Sequence, residues 1–272
     1  MQIKTDFVPG RPRLAVDHCG TGPLVVFMHG IGGNRTNWRD QLPAFGARYH
    51  AMAWDARGYG LSDDYDGPLD FGAFSADLLR LLDHFGAEKA FLVGLSMGGR
   101  IAQDFYPRHP DRVAAMVLCD TMPSFSAGLT PEQRAEFVRL RKEPLVNGKE
   151  PKDIAPVVAR TLLSKNAPDW AFERLVESMS MLHKESYIKT VEATTHYDRA
   201  ADLPNIKVPV LLVYGSEDRL TTPEVGRSMA AAIPDAELFI VENAGHLPNI
   251  EKPREFNDKV LAFLDAQRGR AR

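Results

Sequence analysis

A mainly parallel sheet covered by helices is the fold class this sequence predicts, and three observations carry it. Short apolar runs alternate with helical patterns along the chain, which is the signature of an α/β architecture. Most of these runs are short enough to be strands buried on both faces. Between Cys119 and Val208 the strand signal disappears and helical patterns fill the gap, as an insertion would.

Taken in order, Arg13 to His18 and Leu24 to Met28 read as strands. The turn-rich Cys19-Gly20-Thr21-Gly22-Pro23 lies between them and predicts a hairpin at one sheet edge. His50 to Trp54, Ala90 to Gly94, Val113 to Cys119, Val208 to Gly215 and Ala236 to Val241 are the further strands. Phe74, Leu78, Leu81, Leu82 and Phe85 recur at helical spacing as a core-facing stripe, with Gly86 as the C-terminal cap. In the insertion, Thr130-Pro131-Glu132-Gln133 is a helix start with an N-cap threonine and proline at the first helical position. Further helices are expected over Pro156 to Leu163, Asp169 to His183 and Glu185 to Tyr197. The expected division is a core of residues 1–120 and 205–272 with an inserted unit at 121–204.

The 272 residues include 33 Lys plus Arg against 36 Asp plus Glu and are 44% hydrophobic, the composition of an ordinary globular protein. A formal charge of −3 argues against a nucleic-acid partner, which wants a basic surface. The insertion from Thr121 to Ala200 carries 12 basic and 11 acidic residues, so it is no anion funnel. Two cysteines, Cys19 and Cys119, are too few for a disulfide scaffold and fit a reducing compartment, so the cytoplasm is the expected location. Lys4 and Asp6 interrupt the first ten residues, unlike a signal peptide, and no run is long enough to cross a membrane. The tail arginines Arg268, Arg270 and Arg272 read as a solvated end.

The strand Ala90 to Gly94 runs into Gly94-Leu95-Ser96-Met97-Gly98-Gly99, and a helical pattern follows at once. This predicts a nucleophile elbow, in which Ser96 stands clear at a sharp strand-to-helix turn and its neighbours two before and two after are small. A serine hydroxyl needs a base and a group to orient that base. His246, in a loop after the last strand, is the candidate base, and His29 reads as a support of its own loop. Asp218, after the strand ending at Gly215, is the candidate acid, with Asp120 and Glu217 as rivals. Backbone N–H groups of Met97, at the helix start, and Ile31, in the Gly-rich loop after Met28, are candidate oxyanion donors. That loop fails as a phosphate loop, because no Lys-Ser or Lys-Thr pair follows it.

His29-Gly30, Asp55-Ala56-Arg57-Gly58-Tyr59-Gly60-Leu61-Ser62, the Ser96 elbow, the Gly215 to Asp218 segment and Gly245-His246 resemble the landmarks of the α/β-hydrolase family, in order. The resemblance implies an eight-stranded, mostly parallel sheet with a helical cap after strand six, where Thr121 to Pro204 lies. Within the family, Leu95-Ser96-Met97-Gly98-Gly99 and the run Ala244 to Pro253 most resemble the 3-oxoadipate enol-lactonases and related small carboxylesterases. Sister groups that hydrolyse haloalkanes or epoxides place Asp where Ser96 stands, and hydrolases of aromatic ring-cleavage products carry Trp where Leu247 stands. An enol-lactone substrate bears a carboxylate, so Arg139, Arg141 and Lys142 are candidate cations, or else one solvated helix face.

The expectation is hydrolysis of a small-molecule ester or lactone, with no metal or organic cofactor. Carbon–carbon or amide cleavage and perhydrolysis on the same triad are the alternatives, and a binding protein without turnover is the rival from another class. Substrate contacts are expected from Trp38, Phe125, Arg139, Trp170 and Leu247, with Met122, Met179 and Met181 as pocket or cap core. Arg57 reads as an ion-pair anchor.

Overall fold

The computed structural model describes residues 2–125 and 130–271. Among them, eight strands form one sheet: β1 (Lys4–Val8), β2 (Leu14–Cys19), β3 (Leu24–Met28), β4 (His50–Trp54), β5 (Ala90–Leu95), β6 (Val113–Cys119), β7 (Val210–Gly215) and β8 (Ala236–Val241). Their order is β1-β2-β4-β3-β5-β6-β7-β8. All pairings are parallel from β4 onward across the sheet, whereas β1–β2 and β2–β4 are antiparallel.

The expected β2–β3 hairpin does not form. Leu14–Cys19 pairs instead with the preceding Lys4–Val8 and with His50–Trp54. Every residue of β3 is buried, so it needs a strand on each side, and β4 and β5 provide them. Gly20 and Gly22, at φ of 79° and 113°, bend the chain between β2 and β3 without a hairpin register. The sequence reading also missed β1, whose first four residues are exposed. At the far edge β8 is only partly buried, as an edge strand is.

Helices α1 (Gln41–Gly46), α2 (Phe71–His84) and α3 (Met97–Arg108) precede the insertion. The insertion holds α4 (Pro131–Val146), α5 (Pro151–Leu162), α6 (Asp169–Ser180) and α7 (Lys184–Thr194), and α8 (Pro223–Ala232), α9 (Pro248–Glu251) and α10 (Pro253–Ala266) complete the chain. Side chains alternate across each strand, so two apolar layers form. Val26 and Met28 pack with Leu78, Ile101 and Phe105, while Val25 and Phe27 pack with Phe45 and Phe256 on the other face.

Caps follow the sequence. Gly86 takes φ 65°, and Ala87 N–H reaches back to Leu82 O at 3.0 Å, closing α2. Thr130 and Gln133 form a reciprocal capping box on α4. Helix α5 starts at Pro151 rather than Pro156, because Glu150 and Asp153 make the cap there. The tail is not simply solvated, since Arg268 donates to Arg48 O at 3.0 Å; Arg272 lies outside the described residues. Among the described residues no helix is long and apolar enough to cross a membrane.

Candidate active site

Strand β5 delivers Ser96 to the tip of the sheet at φ 53°, ψ −109°, where α3 begins. A non-glycine residue there costs on the order of 1–3 kcal/mol, and the surroundings hold it. Ser96 N–H donates to Cys119 O at 2.8 Å, and Thr121 Oγ1 donates to Ser96 O at 2.7 Å. The turn is tight enough that only glycine fits beside it. A Cβ on Gly94 would lie 2.4 Å from the Gly98 carbonyl carbon, and one on Gly98 would lie 2.1 Å from Met28 O.

His246 sits in the loop between β8 and α9 and is anchored by its N–H to Leu162 O at 2.7 Å. Its Nδ1 meets Asp218 Oδ2 at 2.7 Å, with both groups buried. Asp218 accepts two further hydrogen bonds, from Leu220 N–H at 2.8 Å and Thr221 Oγ1 at 2.5 Å. Burial alone would raise the Asp218 carboxyl, but the His246 charge and these donors hold it below its ordinary range.

Neither rival acid reaches the histidine by a hydrogen bond. Glu217 accepts from Lys165 N–H at 2.9 Å. Asp120 Oδ1 accepts from Gly215 N–H at 2.9 Å, and its Oδ2 has no partner among the described residues. Burial, and then repulsion from Asp218, pushes the Asp120 carboxyl well above the usual carboxylate range. Asp120, Asp218 and His246 bring ligand atoms within 4.8 Å of one another. They suit a metal poorly, because Asp218 and His246 already engage each other at 2.7 Å.

Ser96 and His246 line one cavity of about 80 Å³. No hydrogen bond joins Ser96 Oγ to the imidazole among the described residues, a contact that in unliganded sites is often long and tightens with substrate. Gly30 brings its loop against the elbow, where a Cβ would lie 3.2 Å from Ser96 Cβ. The N–H groups of Ile31 and Met97 donate to no acceptor among the described residues. His29 is held neutral by burial, with Nδ1 at 2.8 Å from Gly30 O and Nε2 accepting from Ala56 N–H at 3.1 Å.

The profile of the alpha/beta hydrolase fold matches residues 23–253. The chain belongs to the α/β-hydrolase family. It is 27% identical over 243 residues to a 3-oxoadipate enol-lactonase of Acinetobacter baylyi, covering 89% of this chain and 88% of that one. Against a 2-hydroxy-6-oxononadienedioate/2-hydroxy-6-oxononatrienedioate hydrolase of Klebsiella pneumoniae it is 30% identical, with 93% and 91% covered. A malate-bound thermophilic esterase from Thermogutta terrifontis superposes with a TM-score of 0.87 at 27% identity, covering 98% of this chain and 100% of that one. The eight-stranded sheet is the one expected of an α/β hydrolase.

Against this α/β-hydrolase site, the substrate-contact expectations divide. Phe125 and Leu247 line the cavity, as do Met122 and Met179. Trp38 does not; it is fully buried between Phe27 and Phe256, with ring centroids at 5.0 and 6.2 Å. Arg139 is on the outer face of α4, ion-paired with Glu136 and Glu143, and Lys142 pairs with Glu192. Trp170 is exposed, with the Arg174 guanidinium 4.5 Å over its ring. Arg57 makes a two-pronged pair with Asp77 at 2.7 and 2.9 Å.

Three residues the sequence reading passed over complete the site. Thr221 anchors Asp218. Glu251 accepts from Gly245 N–H at 2.9 Å and Ser164 N–H at 3.1 Å, tying the histidine loop to the insertion. Arg100, one turn into α3, lines the cavity itself.

Proposed function

We propose that this α/β hydrolase cleaves a small carboxylic ester or lactone through an acyl-enzyme on Ser96, with His246 as base and Asp218 orienting it. The 2.7 Å Asp218–His246 contact carries the reading. It engages Nδ1 and leaves Nε2 as the proton acceptor, in a cavity shared with Ser96. Ser96 Oγ adds to the carbonyl carbon as its proton passes to His246, and the N–H groups of Ile31 and Met97 receive the oxyanion. His246 then protonates the departing alkoxide and draws a proton from the water that releases the acid. In this reading residues 121–204 form a cap over a core of 1–120 and 205–272, and Phe125 and Leu247 contact substrate. The cytoplasm is the proposed compartment, supported by two buried thiols, Cys19 and Cys119, that form no disulfide.

Identity to the Klebsiella hydrolase supports carbon–carbon bond hydrolysis on the same three residues as a second reading. A fluorophosphonate probe and a panel of 4-nitrophenyl esters run beside a vinylogous diketone test both. Labelling at Ser96, and ester turnover lost in Ser96→Ala, are expected. Diketone cleavage without ester cleavage favours the second reading; turnover surviving in Ser96→Ala overturns both.

A further inference from the structure

We propose that the cavity receives a substrate bearing a carboxylate, held by the guanidinium of Arg100 with Arg141 as the second cation. This rests on the hydrolase reading of the same cavity and names the substrate class within it.

Arg100 follows Ser96 by one helical turn, so its side chain leaves α3 on the serine's side, about 6 Å along the axis. Only 4% of it is exposed. Its Nε and Nη1 have no hydrogen-bond partner among the described residues. The ionisable groups that act on it are the phenols of Tyr197 and Tyr59, and burial pushes it down to about 10. The rings of Phe125 and Tyr197 lie 5.8 and 6.0 Å from the guanidinium carbon. Other arginines with little exposure are treated differently. Arg35 has Asp17 and Asp55, Arg57 has Asp77, and Arg199 has Asp104.

Arg141 repeats the pattern from the insertion. Its guanidinium lies 3.6 Å over the Phe137 ring and donates to Phe137 O at 3.2 Å, and it forms no ion pair among the described residues. Burial lowers it too, with the Tyr187 phenol as its ionisable neighbour. Among the described residues the cavity lining holds these two arginines and no Asp, Glu or Lys.

A buried charge without a partner is costly, and the cost is recovered when an anion arrives. The planar guanidinium fork matches a carboxylate's two oxygens. The rest of the lining is largely apolar, with Leu162, Leu175 and Met179 among it. This suits a hydrocarbon spacer between that acid and the carbonyl at Ser96.

The test uses two probe pairs that differ only in the acid: monomethyl against dimethyl glutarate, and acetoxyacetate against its methyl ester. Calorimetry on Ser96→Ala protein reads binding without turnover. In at least one pair the acid is expected to bind about thirtyfold or more tighter than its neutral partner. Arg100→Gln is expected to collapse that ratio, and Arg141→Gln, which touches a different helix, to reduce it; a general loosening lowers both arms and leaves the ratio. Equal affinities in both pairs, or a ratio unmoved by both substitutions, overturns the proposal. Wild-type hydrolysis of neutral esters with no preference for the acids would overturn it while leaving the hydrolase reading. Tight acid binding with Ser96 unreactive to fluorophosphonate would do the reverse.

Discussion

Replacing Asp218 by Asn tests the assignment of the acid, and the hydrogen bonds around it set the magnitude. Three donors converge on the carboxylate: Leu220 N–H on Oδ1, and Thr221 Oγ1 and His246 Nδ1 on Oδ2. A carboxamide has one acceptor end and one donor end. If its oxygen serves Thr221 and His246, its NH₂ opposes the Leu220 N–H, which has no alternative tautomer. Turned the other way, it satisfies Leu220, and the Thr221 hydroxyl rotates to accept. His246 must then accept at Nδ1 and carry its proton on Nε2. That arrangement is the cheaper one, and it removes the lone pair that takes the serine proton. Loss of the correct tautomer costs on the order of 10⁴ in kcat in a triad of this kind, or about 5 kcal/mol of barrier. Steady-state ester hydrolysis should therefore show kcat down by about that factor with KM little changed, while the Tm moves by only a few degrees. Asp120→Asn, which keeps the Gly215 contact through its carbonyl oxygen, should retain activity to within about tenfold. If Asp218→Asn keeps more than about a tenth of wild-type kcat, or Asp120→Asn falls as far, the reasoning fails.

Asp120 also predicts a pH dependence of stability. Its folded carboxyl is raised by burial and by Asp218, whereas the unfolded chain releases that proton above about pH 4. Unfolding thus releases a proton, and stability is lost as pH rises, by up to ~1.4 kcal/mol per unit until the folded group titrates. Asp120→Asn removes this slope, so its Tm relative to wild type should climb as pH rises above about 5; a constant difference contradicts a raised Asp120 carboxyl. Gly94→Ala drives a Cβ to 2.4 Å from backbone on α3 and should cost about 3 kcal/mol in chemical denaturation. A neutral result there would mean that the elbow is slacker than described. Arg139→Ala breaks exposed pairs only and should change stability by under about 1 kcal/mol, with kcat/KM unaltered.

What the sequence made legible and what it hid follow from where the information resides. Val113–Cys119 was readable to the residue because a buried strand must be apolar along its whole length, and His50–Trp54 because its last four residues are buried and apolar. Lys4–Val8 was not, since an exposed edge strand has no such requirement. Pairing is a long-range choice, so the local turn signal at Cys19 to Pro23 suggested a hairpin that the sheet resolves by inserting β4. At the site, Gly94, Gly98 and Ser96 announce themselves through backbone geometry that few residues tolerate. Trp38 and Arg139 did not, because an aromatic near a loop or a cation on a helix is assigned only by packing. Arg100 was invisible for the same reason: a helical position shows its face only when its neighbours are in place.

The account's central claim is that an acyl group resides transiently on Ser96. Digestion with trypsin releases Ala90–Arg100, a peptide in which Ser96 is the one hydroxyl side chain. Rapid acid quenching during turnover of a 4-nitrophenyl ester, followed by mass spectrometry of that peptide, should find it carrying the acyl mass in step with the burst of nitrophenol. An unmodified peptide at every time point, while product accumulates, would contradict the claim.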